Sequence, residues 1–262
     1  MHPEHVMLET SDNTVLGGRL ILRQPLRGHR VGHDAILLAA ATEAFPGEHS
    51  IDLGAGVGAA GLALAQRVPE LKVTLVDIDP ELSALAAFNG QRNGLSDRVR
   101  AVTLDVTDPD VFAAAGLALA SADRLLMNPP FNDPARQNVS PDARRRLAHV
   151  GGPETLPKWV RAAASLLKPG GTLTLIWRAD DRDVAIESLR VHFGSIAVLP
   201  VYPGPDASAI RILIRASKGG RAPVVDAVGI TLNDSRGQPS TAAEAILRGE
   251  QTLSFSEIKA AN

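Results

Sequence analysis

The sequence predicts an α/β fold: a doubly wound, mostly parallel sheet finished by an antiparallel terminal hairpin. Three observations carry that expectation. Short apolar runs alternate with helical patterns through the middle of the chain, the sequence form of βαβ units. A glycine-rich turn, Gly54-Ala55-Gly56-Val57-Gly58, joins one such run to the helical pattern after it. Two late runs, 196–201 and 209–215, are separated by Tyr-Pro-Gly-Pro-Asp and by no helix, so they should pair as antiparallel neighbours on the sheet edge.

Taken in order, 15–22 reads as a strand or hairpin and 34–43 as an apolar helix, together a cap near the first sheet loop. Strand candidates follow at 50–53, 72–76, 99–104, 124–127 and 172–177, with helices beginning near Gly58, Pro80, Leu156 and Asp181. Pro80 suits a first helical turn because that position needs no amide donor, and Asp79 ahead of it reads as the cap. After Lys218 the turn residues Gly-Gly-Arg-Ala-Pro lead to a strand at 224–230 and a short helix at 241–248. The expected division is a cap at 1–45, a core at 46–218, and a partly flexible appendage at 219–262.

Composition narrows the function classes. At 262 residues, 45% hydrophobic and 21% charged, the chain can bury one sizeable core. It has no cysteine, which excludes disulfides, thiolate catalysis and cysteine-ligated zinc or iron–sulfur sites. The seven histidines show no metal-site spacing, so no metal is assigned. The start MHPEHVMLETSDN lacks a basic and an apolar leader region, and no apolar stretch approaches a membrane span, so a cytoplasmic protein with no membrane partner is expected.

A net charge of −2 argues against coating nucleic acid through bulk electrostatics. Local charge differs: from Asn128 to Lys168, seven basic residues (Arg136, Arg144, Arg145, Arg146, Lys158, Arg161, Lys168) face three acidic ones. Arg19, Arg23, Arg27 and Arg30 form a second basic run. A polyanion can be met locally, with Arg136 and Arg144 to Arg146 as the candidate RNA contacts.

The glycine loop allows two registers. Gly56, Gly58 and Gly61 satisfy the dinucleotide spacing G-x-G-x-x-G, but there the first glycine directly follows the strand, a place held here by Gly54. The register is then Asp-x-Gly-x-Gly-x-Gly, with Asp52 able to accept from the ammonium of an amino-acid moiety. Asp77 ends the second strand, where an acid takes both ribose hydroxyls, and Asp105 ends the third, where it can accept from an adenine amino group. Acids at three strand ends favour S-adenosylmethionine over NAD, with Gly54, Ala55, Gly56, Ile78, Val106 and Asn128 completing the candidate cofactor site.

The candidate catalytic residues are Asn128, Pro129, Pro130 and Phe131, directly after the apolar run Leu125-Leu126-Met127. An exocyclic amine on a planar ring is a poor nucleophile, because its lone pair is delocalised. Accepting both N–H groups favours a pyramidal nitrogen and stabilises the charge that grows as a methyl arrives. The Asn128 side-chain oxygen and the Pro129 carbonyl are the acceptors; Pro130 holds Pro129 extended, and Phe131 can stack on the base. That arrangement suits methylation of a nitrogen.

With loop, acids and turn in this order, the chain resembles the class I S-adenosylmethionine-dependent methyltransferases, whose sheet is Rossmann-like. More narrowly it resembles the bacterial family that methylates N6 of the adenine 3′ of the anticodon in a valine tRNA, over roughly residues 12 to 250. The resemblance includes Gly28-His29-Arg30-Val31-Gly32-His33-Asp34, and Thr241 to Gly249 near the end. It implies cofactor contacts at Asp52, Gly54, Gly56, Asp77 and Asp105, base contacts at Asn128, Pro129 and Phe131, and a cover over the cofactor from 28–34. The usual Phe-Ser-x-Asp form there is Val31-Gly32-His33-Asp34, so only Asp34 transfers. The implied substrate is RNA, foremost tRNA. Guanine N2 of ribosomal RNA and a protein glutamine pose the same chemical problem and stay open as acceptors, behind them a non-enzymatic RNA-binding adaptor. Oligomeric state is not legible.

Overall fold

The computed structural model describes residues 9–27, 30–130 and 154–258. Strand β1 (Thr10–Val15) pairs antiparallel with β2 (Leu20–Pro25) across a 3-10 turn at Leu16–Gly18. The run 15–22 therefore holds a turn, and its two ends belong to different strands. Leu20 and Leu22 point into the core, while Ile21 between them stays partly exposed. Helix α1 (His33–Ala41) follows, apolar nearly all round because it is covered by helix, sheet and tail.

The sheet begins with β3 (His49–Leu53), α2 (Ala59–Arg67), β4 (Lys72–Asp77), α3 (Pro80–Arg92) and β5 (Val99–Thr103). It continues with β6 (Ala122–Met127), α4 (Thr155–Leu166), β7 (Leu167–Arg178), α5 (Arg182–Arg190), β8 (Phe193–Tyr202) and β9 (Arg211–Lys218). Strands β5, β4, β3, β6 and β7 lie side by side and parallel. The inner strands β3, β4, β6 and β7 are mostly apolar on both faces because both are covered, whereas β5 at the edge stays partly exposed. Ile51, Leu53, Leu125 and Met127 face α4 and α5, while Leu126, Val73 and Leu75 share the core of α1 and α2.

From β3 the chain moves outward to β4 and β5, then returns to the other side of β3 at β6. Such a reversal opens a crevice at the carboxyl ends of the two central strands. Leu53 is in register with Met127, so Gly54 and Asn128 leave the sheet side by side.

Beyond β7, β9 is antiparallel and β8 antiparallel to it, as the late runs predict. The hairpin is not the sheet edge. Two short strands, β10 (Val225–Asp226) and β11 (Ile230–Thr231), pair parallel with β8. They cover an apolar edge that would otherwise offer unpaired backbone groups to another chain. The single strand expected at 224–230 is split because Val228 and Gly229 leave the ladder, after Ala227 N donates to Val198 O at 2.8 Å. Helix α6 (Thr241–Leu247), capped by Ser240, packs Ala243 and Ile246 against the α1 side of the core.

Candidate active site

The glycine loop is set by its neighbours at the end of β4. Gly54 N and Ala55 N both donate to the Val76 carbonyl, at 2.8 and 2.9 Å, and Gly58 N donates to Ala55 O at 2.8 Å. Gly54 has φ +72°, and a Cβ there would lie 2.9 Å from Trp159 Cζ3 and closer still to its Cη2. Backbone conformation and packing each demand glycine. Gly56, at φ +56°, differs: its Cβ would point into open space, which leaves its side of the loop clear for a ligand to approach the backbone.

Asp77 ties this loop to β4. Its Oδ2 accepts from Gly56 N at 2.7 Å and its Oδ1 from Asp79 N at 2.9 Å. A carboxylate oxygen has two acceptor sites, so each keeps one for a ligand hydroxyl. Burial raises the Asp77 pKa, opposed by those two amides. Beside it, Ile78 exposes apolar surface. Asp79 accepts from Glu81 N and Leu82 N and caps α3, as its position before Pro80 predicts.

Asp52 turns toward α2, where its Oδ2 accepts from Gly61 N at 2.8 Å. It is 2% exposed. Burial pushes its pKa up to about 7; the Gly61 amide opposes this, and the nearby Asp77 charge adds to it. Gly61 has no room for a side chain, since a Cβ would collide with Leu75 and lie 3.1 Å from Asp52 Oδ2. The buried carboxyl is thus held under the first turn of α2.

The outer candidates are more varied. Asp105 Oδ1 accepts from the amide and hydroxyl of Thr107, at 2.8 and 2.7 Å, which shapes the turn after β5, while Val106 is buried. Asp34, in the first turn of α1, pairs with Arg211 Nε at 3.0 Å. Arg211 is the register partner of Arg178 across β7 and β9, and Arg178 pairs with Asp180 and Asp181. The sequence reading missed these arginines, whose partners are distant or lie in a turn.

At the end of β6, Asn128 Oδ1 is buried and has no hydrogen-bond partner among the described residues. Pro129 is buried and Pro130 half-buried. Phe131, Arg136, Arg144, Arg145 and Arg146 lie outside the described residues. Trp159 belongs to the core, as its apolar pattern suggests, but its contact with Gly54 was not legible. Among the described residues no group of three or more His, Asp or Glu is placed to hold a metal ion, and no helix is long and apolar enough to cross a membrane.

Residues 31–201 match the family model of the methyltransferase small domain. The chain belongs to that methyltransferase family. Its matched region contains the glycine loop, the strand-end acids and the Asn128 turn. The methyltransferase is 34% identical over 191 residues to a tRNA1(Val) (adenine(37)-N6)-methyltransferase of Porphyromonas gingivalis, covering 70% of this chain and 72% of that one. It is 36% identical over 164 residues to a release factor glutamine methyltransferase of Moorella thermoacetica, covering 59% of this chain but only 55% of the relative. Among solved structures, one described as a predicted O-methyltransferase from Agrobacterium tumefaciens superposes with a TM-score of 0.71 at 25% identity, over 84% of this chain and 98% of that one.

Proposed function

We propose that this methyltransferase moves a methyl group from S-adenosylmethionine to the exocyclic N6 of an adenine in RNA, foremost an adenine of a tRNA anticodon loop. One observation carries the reading: a buried acceptor, Asn128 Oδ1, is left without a partner beside the glycine loop. Buried acceptors are almost always satisfied, so one left open beside a ligand loop points to a donor that arrives with the substrate.

The residues present suit the methyl donor. Gly56 leaves room along the loop, Asp77 keeps acceptor capacity on both oxygens, and Ile78 offers an apolar face. S-adenosylmethionine supplies an electrophilic methyl group on a sulfonium. Asn128 Oδ1 and the Pro129 carbonyl accept the two N6 hydrogens and stabilise positive charge on that nitrogen as its bond to carbon forms. Pro130 keeps the preceding carbonyl extended, Phe131 stacks on the base, and the displaced proton leaves to water. Rate then comes from positioning.

The tRNA assignment is supported by the named activity of the Porphyromonas gingivalis relative, and the proposed place of work is the cytoplasm. In this reading 1–45 caps the donor, 46–218 carries the chemistry and 219–262 closes the sheet. The test offers labelled donor with unmodified tRNA and, separately, with release factors, since the Moorella thermoacetica relative names a glutamine acceptor. Label on an anticodon-loop adenine supports the proposal. Label on glutamine or guanine alone refutes it.

A further inference from the structure

Asn89 on α3 and Asn93 at its C-terminal cap treat the free edge of β2 as though they were another strand. Ile21 N donates to Asn93 Oδ1 at 2.9 Å, and Asn93 Nδ2 donates to Ile21 O at 2.8 Å. One step along, Arg23 N donates to Asn89 Oδ1 at 2.8 Å, and Asn89 Nδ2 donates to Arg23 O at 3.0 Å. The spacing explains the match: helical residues four apart rise about 6 Å, and strand residues two apart advance about 6.6 Å. Side-chain amides present the same donor and acceptor pair as backbone.

The two asparagines are not equivalent. Asn89 is fully buried and spends its second N–H on the Val57 carbonyl, at 3.0 Å. Val57 lies between Gly56 and Gly58, both at positive φ, in the most pliable part of the loop. The peptide joining Val57 to Gly58 is therefore gripped at both ends, its carbonyl by Asn89 and its N–H by Ala55 O. Asn93 spends its remaining hydrogen bond on Asn89 O, within the helix.

We propose that Asn89 is a positioning residue that fixes the glycine loop for the methyl donor and couples docking of the N-terminal hairpin to donor affinity. This rests on the reading that S-adenosylmethionine occupies the loop. Losing Asn89 frees the Val57 peptide and the hairpin together, whereas losing Asn93 frees only the hairpin. By linkage, a donor that stiffens the loop also tightens the hairpin.

The experiment compares Asn89→Ala and Asn93→Ala by thermal melting and by calorimetry with S-adenosylhomocysteine. Both melt earlier than wild type. Asn89→Ala weakens S-adenosylhomocysteine about tenfold, the scale of one lost hydrogen bond, and raises KM for the donor with kcat held within about twofold. Asn93→Ala loosens only the hairpin and leaves the Val57 peptide held, so it weakens affinity through the coupling alone, by about twofold and less than Asn89→Ala does. Equal affinities in the two variants would overturn the proposal. Wild-type hydrogen exchange needs no variant: S-adenosylhomocysteine should slow exchange at the Arg23 amide more than at Ile21. Slowing confined to 54–58 would overturn the coupling. Absence of binding by the wild-type protein would instead overturn the donor assignment, and this inference with it.

Discussion

An ammonium-binding role for Asp52 would make donor affinity depend on pH, in a direction set by the burial of its carboxyl. Its carboxyl, ordinarily at 3.8, is pushed to about 7 by burial. At pH 6 only about one in ten molecules then carries the charge, one pH unit below the pKa. A cationic ammonium near Asp52 favours the ionised form, so binding must first draw off a proton. Affinity should rise about tenfold per pH unit between roughly 5.5 and 7, below the range where an α-amino group itself titrates. Calorimetry with S-adenosylmethionine in buffers of different ionisation enthalpy measures both the slope and the released proton. Asp52→Asn keeps an oxygen for Gly61 N, cannot titrate, and should give a flat profile with weaker binding at pH 7. The free protein should show the opposite sign. The folded state holds this proton up to about 7 while the unfolded chain releases it near 3.8, so stability falls as pH rises between those values. The ceiling on that loss is about 4 kcal/mol, from about three units at 1.36 kcal/mol each. Asp52→Asn removes it, so the unliganded variant should melt above wild type at pH 8, with the gap narrowing as pH falls and closing only near 3.8. A wild-type affinity independent of pH from 5.5 to 7 would refute the ammonium role.

Four further outcomes follow from named residues. Asn128→Ala should abolish methyl transfer while S-adenosylmethionine binding by calorimetry survives; full turnover would remove the acceptor from the mechanism. Gly54→Ala should cost at least about 1–2 kcal/mol from the left-handed backbone alone, plus the collision with Trp159, and Trp159→Phe should recover part of it in chemical denaturation. Asp79→Ala should lower stability by about 1 kcal/mol through loss of the α3 cap, with kcat unchanged. Changing Arg144, Arg145 and Arg146 together to Ala should weaken tRNA and flatten the salt dependence of its affinity; an unchanged slope would take them out of the interface.

What could be read from the sequence is what repeats locally. The parallel strands announce themselves because each is an apolar run bounded by turn residues, and Asp79-Pro80 marks a helix start by chemistry confined to neighbours. The glycine loop was legible as a loop, and Asn128-Pro129-Pro130 as the end of a strand. Their adjacency was also an expectation, from the order of a doubly wound sheet; the register that delivers it, Met127 opposite Leu53, was not legible. Asp52 shows the same limit. Its position in the motif is visible, but its burial under α2 arises because Gly61, nine residues on, lets the helix approach. Nothing in the sequence singles out Asn89, because its partners at Arg23 and Val57 lie 66 and 32 residues away. The covered edge of β8 was missed because Val225–Asp226 and Ile230–Thr231 are too short to show a period.

The two ends of the sheet treat polar groups differently, and that difference separates stability from chemistry. At the amino ends, Arg124 grips Glu48 with two bonds at 2.8 and 2.9 Å, and Lys168 meets Asp123 at 2.6 Å. Asp123 also takes the His49 amide, Arg98 gathers the carbonyls of Ala65, Val68 and Leu71, and Lys218 those of Ala164 and Leu167. At the carboxyl ends of β3 and β6, a buried carboxyl sits at a raised pKa and a buried amide oxygen has no partner. Leaving such an acceptor unmade costs on the order of 1–3 kcal/mol, a large share of the margin by which a domain is stable. A cost held beside the glycine loop, at the carboxyl ends of β3 and β6, is what a preorganised site requires: the acceptors stand in place before the nitrogen they serve arrives.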